Sequence, residues 1–395
     1  MPVLSRSLTL LLCSTLTVMA AATITPTLTA IAAHFADTPH AGFLTRLVLT
    51  LPALVIVLVA PLAGKACDAR GRKPVMGFGL LLYIVAGGAG ALAPSLPWLL
   101  ASRAGLGIGI ACLMTATTTM IADGSRDGEQ ARLLGMQGAF MAGGGVIFVL
   151  LGGLAAEIHW RVAFGVYLLA LLLVPAVRRL PESRPARGGG DADDTAPAGR
   201  VARQVGGVCA LAFLGMALFY LMPVYMPFLL AERFGASAGW VGAAVALANI
   251  AAMLSGTLFR RVRARVSSIG MVAITCGFLG GGYAVVAVSA DLPPFLAGLL
   301  IAGLGLGFML PNLNHWAVQR SEPALRGRAL GWMTTAFFLG QFASPLLAQP
   351  VASAFGTGGL YGAAAVVLGS GAVVALAAVL RSRSSNQRLR SSPPP

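Results

Sequence analysis

The chain has 395 residues, 57% of them hydrophobic and only 10% charged, with a formal net charge of +15 and a mean hydropathy of +0.82. That composition excludes an ordinary soluble globular domain and points to the bilayer. The cations are distributed beside apolar runs, which suits contact with anionic lipid and leaves nucleic acid out as an expected partner.

A helix of about 20 residues crosses a ~30 Å hydrocarbon core, and a spanning helix satisfies its own backbone groups. Apolar runs of that length occur at 8–33, 44–63, 74–93, 97–122, 132–155 and 161–177, then at 205–230, 238–259, 267–289, 293–318, 328–349 and 358–380. They predict an all-α membrane protein with twelve transmembrane helices. The first run follows Arg6 as a signal peptide follows its basic flank, but it is too long for one, and its removal would spoil the charge alternation.

With the amino terminus cytoplasmic, one side collects Arg6, the cluster Lys65, Arg70, Arg72 and Lys73, then Arg126 and Arg132, the arginines of 178–203, those of 260–265, and Arg320, Arg326 and Arg328. The opposite loops hold only Arg161 and Arg233. This bias follows the positive-inside rule, so both termini are expected in the cytoplasm of a bacterial-type inner membrane. The cysteines, Cys13, Cys67, Cys112, Cys209 and Cys276, are scattered and read as unpaired apolar thiols.

Between the sixth and seventh runs, 178–204 is rich in Pro, Gly and charge and reads as a cytoplasmic linker. It divides the chain into a six-helix bundle at 1–177 and another at 205–380, followed by a basic cytoplasmic tail at 381–395. The halves resemble each other: GLGIG at Gly105–Gly109 corresponds to GLGLG at Gly303–Gly307, and ARLLGM at Ala131–Met136 to GRALGW at Gly327–Trp332. Gly64 matches Gly256, but Asp68 meets Arg260, so the second copy of the basic segment lacks the acid.

The segment GKACDARGRK, with Gly64, Asp68, Arg70, Gly71, Arg72 and Lys73, resembles the signature between the second and third helices of the major facilitator superfamily, with Ala69 in place of a common Arg. Arg103 followed by Gly107 in LASRAGLG, and the glycine-rich stretch Gly135–Gly153, resemble motifs of the 12-helix drug:proton antiporters in that superfamily. The resemblance covers essentially the whole chain. It implies two bundles related by a parallel repeat, a substrate site at the midplane between them, and alternating access. It also implies that Gly64, Asp68, Gly71 and Arg72 form a conformational latch, with Asp123 as a partner. The alternative is that the cations of the segment, Lys65, Arg70 and Lys73 above all, only set topology, although an acid such as Asp68 does nothing for topology.

Arg103 is placed inside the fourth helix, where a guanidinium facing lipid is costly, so it should face protein or water; snorkelling to the outer surface is the alternative. Its counterpart in the second half is Ile301, which suggests that the bundle does not require a cation there. Arg46, nearer the outer end of its helix, reads as a snorkelling residue. No acid falls at the middle of a run, so proton coupling would use Arg103 or mouth groups such as His34, Asp37 and His315, unless the histidines only make structural hydrogen bonds. Gln137, Asn249, Asn312, Asn314 and Gln341, with Tyr220, Tyr225, Phe337 and Phe338, are the candidates to line a substrate cavity, helix packing being the other use of such amides.

Such a cavity suits an amphipathic organic solute. GLGIG lies within a transmembrane run, so it reads as close helix packing rather than a dinucleotide loop. No cofactor, metal or enzymatic chemistry is expected. The sequence therefore predicts a monomeric secondary transporter that exports small amphipathic compounds, coupled to protons. The alternatives are a specific exporter or facilitator of one metabolite, such as a siderophore or sugar, and a membrane enzyme or receptor.

Overall fold

A computed structural model of the protein describes residues 5–123, 127–182, 198–322 and 325–391, with side chains described in these ranges except at 127–131, 198 and 382–391. Arg126, the middle of the expected linker at 183–197 and the end of the tail lie outside the described residues.

All regular structure among the described residues is helical. The first apolar run is α1 (Arg6–Ala22), a 3-10 turn (Thr25–Thr27) and α2 (Leu28–His34). It is followed by α3 (Ala41–Arg70), α4 (Arg72–Ala89), α5 (Leu96–Asp123) and α6 (Asp127–Ile158). The sixth run comprises α7 (Trp160–Gly165), a 3-10 stretch (Val166–Leu173) and α8 (Val174–Arg179). Beyond 183–197 come α9 (Ala198–Phe219), α10 (Leu221–Phe234), α11 (Ala238–Arg263), α12 (Ser268–Val288), α13 (Leu292–Arg320) and α14 (Arg326–Ser391). Among the described residues 11 helical segments are long and apolar enough to cross a membrane. The last of them, Arg326–Arg381, contains Gly356 at φ 70° and ψ 174°. That conformation is open almost only to glycine and breaks the helix. The loop expected between 349 and 358 is thus a single sharp turn.

The basic segment also differs from expectation. It falls between the apolar runs 44–63 and 74–93, yet α3 continues through Asp68 to Arg70, and only Gly71, at φ 95°, separates it from α4. The charged residues continue the helix because its end projects beyond the apolar run, where their heads remain solvated.

α3 and α4 pack on α5, and α1 packs on α6; α11 and α12 pack on α13, and α9 and α12 on α14. The glycine repeats make these approaches possible. A Cβ at Gly107 would stand 2.8 Å from Val55 Cβ of α3, and one at Gly109 would stand 2.9 Å from the Tyr83 backbone nitrogen of α4. Gly303 and Gly307 meet the backbone of α11 in the same way, at the carbonyls of Ala248 and Ala252. The packing reading of GLGIG and GLGLG is the geometric one.

A second correspondence appears only in three dimensions. The hydroxyl of Tyr83 donates to the Leu16 carbonyl and that of Tyr167 to Ala20, just before α1 breaks. Tyr283 donates to the Leu218 and Phe219 carbonyls and Tyr361 to Leu221, where α9 gives way to α10. The rings touch within each pair, at 5.6 Å for Tyr83 and Tyr167 and 5.1 Å for Tyr283 and Tyr361. A helix interrupted in a bilayer needs side chains to satisfy its backbone, and each pair supplies two hydroxyls.

Candidate functional site

At the charge-rich end of the helices, Arg72 begins α4 and is 5% exposed although it is charged. Its Nε donates to Asp123 Oδ2 at 3.0 Å, and its Nη1 donates to the Cys67 carbonyl at 2.9 Å and lies 3.3 Å from Asp68 Oδ1. Glu182, and not Asp68, caps the amino terminus of α4: its Oε1 accepts from the backbone nitrogens of Arg72 and Lys73 at 2.8 and 3.3 Å. A carboxylate there satisfies orphan donors and the positive end of the helix dipole. Gly71 leaves room for it, since a Cβ would come within 2.7 Å of Glu182 Oε1. Asp68 is 72% exposed. Among the described residues this cluster ties α3, α4, α5 and the segment after α8 to one another, with no hydrogen bond or ion pair to α9–α14.

The two helix groups meet along two seams. In one, α3 faces α14: Arg46 Nη1 donates to Gln349 Oε1 at 2.8 Å, and the guanidinium lies 4.4 Å from the Tyr225 ring and 4.9 Å from Phe228, both on α10. Arg46 was read as snorkelling to the surface; it instead crosses to the other helix group, because two aromatic faces and an amide stabilise a cation better than lipid does. Further along the same two helices the seam opens into a cavity of about 490 Å³, lined by Ile56, Val57, Ala60 and Pro61 of α3, Met114 of α5, and Arg328, Gly331, Trp332, Thr334, Thr335 and Phe338 of α14. Arg46, Ile56 and Ala60 share one face of α3 by helical spacing, as Phe338, Pro345 and Gln349 share one of α14. Pro52 and Pro345 lie between the closed and open sections. Each removes a backbone hydrogen bond where the helices diverge.

In the other seam α6 lies against α11. A Cβ at Gly153 would stand 3.0 Å from the Ala238 carbonyl and one at Gly242 would stand 2.9 Å from that of Val149. Glu157 Oε1 accepts from the Gly239 backbone nitrogen at 2.6 Å. Both seams are therefore closed at the end remote from the basic cluster.

Arg103 is 1% exposed and lines neither seam. Its Nη1 donates to the Tyr167 hydroxyl at 3.0 Å and its Nη2 to the carbonyls of Ala86 and Gly87 at 3.3 and 3.0 Å. The rings of Phe164 and Tyr167 flank it at 4.9 and 5.1 Å. Neither a cavity position nor a snorkelling one describes it: the charge is enclosed within the first helix group on neutral acceptors.

The Major Facilitator Superfamily profile matches residues 10–345 and again 208–394. The chain belongs to the Major Facilitator Superfamily. Multidrug resistance protein 1 of Bacillus subtilis is 32% identical over 137 residues, 34% of this chain and 35% of that protein. A multi-drug efflux pump PmrA homolog of Lactococcus lactis is 35% identical over 111 residues, 28% of this chain and 27% of that protein. The chain thus matches about a third or less of the length of these curated relatives. In fold it is similar to the inward-open xylose transporter XylE of E. coli, with a TM-score of 0.74 at 16% identity, over 94% of each chain. A multi-pass membrane transporter of small molecules, and no enzyme, is what this membership means.

Of the residues expected to line this facilitator's cavity, the structure puts Phe338 in the cavity wall, with Phe337 against it at 5.5 Å between ring centroids. Gln341 is buried one turn along α14, and Tyr225 is the platform under Arg46 at the closed end. Asn249, half-buried, faces Gly145 across the α6–α11 seam. Gln137 donates to Ser14 Oγ within the first helix group, and Asn312 to the Ser268 carbonyl within the second, so both tie helices together. Tyr220 is buried beside Phe219, and Asn314 is half-buried. His34 and Asp37 are exposed at the closed end, His34 against Phe35 and Trp160, while His315 is exposed on α13; these groups are not brought together with Arg103. Sequence reasoning missed Gln349, Phe228, Trp332 and the seam role of Arg46. The four-residue spacing of Pro345 and Gln349 on one helix face was the available signal.

Proposed function

We propose that this facilitator is a secondary transporter exporting small amphipathic organic compounds by alternating access, driven by proton influx and acting as a monomer. The observation that carries the reading is the α3–α14 seam, sealed at Arg46 and Gln349 and open into an apolar cavity at its other end. The positive-inside rule makes the basic end cytoplasmic, so the open side faces the cytoplasm and both termini lie there. Twelve spans follow if the segment broken at Gly356 counts as two, giving bundles at 1–177 and 205–380 joined by 178–204. The exposed Asp68 carboxylate, with Gly64, Gly71, Arg72 and Asp123 around it, is the latch that engages the second bundle when the cytoplasmic side closes.

The efflux-pump names of the relatives support the substrate class, and a cavity wall of Ile56, Val57, Met114, Trp332 and Phe338 supports it physically. Proton coupling rests on the antiporter-like stretches at Arg103 and at Gly135–Gly153. His34, Asp37 and the α13 residue His315 are the groups that would carry the proton. A second reading, an uncoupled facilitator of one metabolite, is favoured by one observation: among the described residues the acids, from Asp37 to Glu322, stand at helix ends or outside helices.

Proteoliposomes with an imposed pH gradient separate the two. Proton flux that appears only when an amphipathic solute is added supports antiport. Solute flux indifferent to the gradient favours the facilitator, and no solute flux of any kind defeats both.

A further inference from the structure

Arg46 stands at the closed end of the α3–α14 seam, and among the described residues no carboxylate pairs with it. A guanidinium carries five N–H donors. Arg46 uses one of its nitrogens, Nη1, on Gln349, while its Nε is buried without an acceptor. Tyr225 and Phe228 cover its faces, and among the described residues the Nε and Nη2 edge has no hydrogen-bond partner. That edge is the one that holds a carboxylate through two parallel hydrogen bonds. The neutral partners hold the side chain in place and leave its positive charge uncompensated in a setting where charge is weakly screened.

We propose that Arg46 receives the anionic group of the transported compound, so that the substrate class is the amphipathic organic anion: it enters through the apolar cavity and advances along the seam with its carboxylate or sulfonate leading, to meet Arg46 where α3 and α14 close. The proposal rests on the transport reading above and narrows it. Gln349 Oε1 holds Nη1, beside the edge left for the anion. A carboxylate on that edge supplies the negative charge that the neutral amide lacks and competes with Gln349 for the guanidinium, which makes arrival of the correct charge a condition for parting the seam. A cationic solute of equal size meets only repulsion at Arg46, and a neutral one brings no charge to compete with the amide.

Three probes that share one ring system and differ in charge test this on the purified full-length protein in nanodiscs: 2-naphthoate, 2-naphthamide and 2-naphthylmethylammonium, titrated by calorimetry. Wild-type protein should bind the carboxylate about tenfold or more tighter than the amide, and the ammonium most weakly. Arg46→Gln should lower the carboxylate affinity to that of the amide, whose binding reports that the cavity is intact. Arg46→Lys retains the charge but not the two-point edge and should keep only part of the preference; it carries the test if the Gln variant binds no amide. Equal binding of all three probes to the wild type overturns the anion class and leaves amphipathic transport standing, whereas binding of none overturns both. A carboxylate preference that survives Arg46→Gln, or one undiminished in Arg46→Lys, removes Arg46 from the site.

Discussion

Arg103 and Arg233 hold corresponding carbonyls in the two helix groups, although they come from different helices. Arg103, on α5, donates to Ala86 and Gly87, three and four residues after Tyr83. Arg233, at the end of α10, donates to Val286 and Ala287, three and four residues after Tyr283. The absence of a cation at Ile301 had suggested that the bundle needs none at that place. The structure corrects this: the second group also needs a guanidinium on those carbonyls and obtains it from elsewhere in the sequence. Arg103 is therefore first a structural cation, and any coupling role must act through that network.

Replacing Arg103 by Ala should leave two carbonyls and the Tyr167 hydroxyl without their donor, at about 1–3 kcal/mol for each buried group left unsatisfied. The expected result is a clear fall in thermal unfolding temperature and in yield of folded protein. Arg103→Lys should fall between, since an ammonium lacks the planar fork. Arg233→Ala should behave like Arg103→Ala. An unchanged unfolding temperature in Arg103→Ala would contradict the network.

Asp68 and Glu182 should separate function from stability. Asp68→Asn removes an exposed carboxylate and should alter stability by no more than about 0.5 kcal/mol. If Asp68 closes the cytoplasmic side, transport should nevertheless slow severalfold, and thiol labelling of Phe338→Cys from that side should rise. Normal transport with unchanged labelling defeats the latch. Glu182→Gln weakens the cap of α4 and should cost about 1 kcal/mol, read as a lower unfolding temperature.

Gly71→Ala tests the single-residue break between α3 and α4. At φ 95° a side chain is strained, by about 1–3 kcal/mol, and its Cβ would also crowd Glu182. The variant should unfold earlier than wild type and lose most of the effect of a further Glu182→Gln change, a non-additivity that a double-mutant cycle measures.

Gly153→Leu should prop α6 away from α11, because even a Cβ there stands 3.0 Å from the Ala238 carbonyl. The expected outcome is inserted protein whose closed end admits thiol reagents at Phe228→Cys more readily than wild type, with export reduced about tenfold or more, a barrier change of about 1.4 kcal/mol. Wild-type labelling and export would show that this seam does not need the close approach.

The sequence alone determined that the chain is an all-helical membrane protein of this fold, because apolar length and charge bias are enforced locally by the bilayer and do not depend on which helices touch. Glycine periodicity likewise predicted close packing at Gly107 and Gly303, since only a missing Cβ lets backbones approach so nearly. What it could not determine was partnership. Arg46 and Gln349 are separated by 303 positions, Arg72 and Glu182 by 110, and each pair exists because rigid helices bring remote ends together. The same buried Arg can be a cavity cation or a structural tie, and the difference lies in which neighbours surround it. For Arg103 the carbonyls of α4 and the hydroxyl of Tyr167 decided, and for Arg46 the aromatic faces of α10, because a charge in an apolar interior goes where enough polar and π partners converge, which tertiary packing alone arranges.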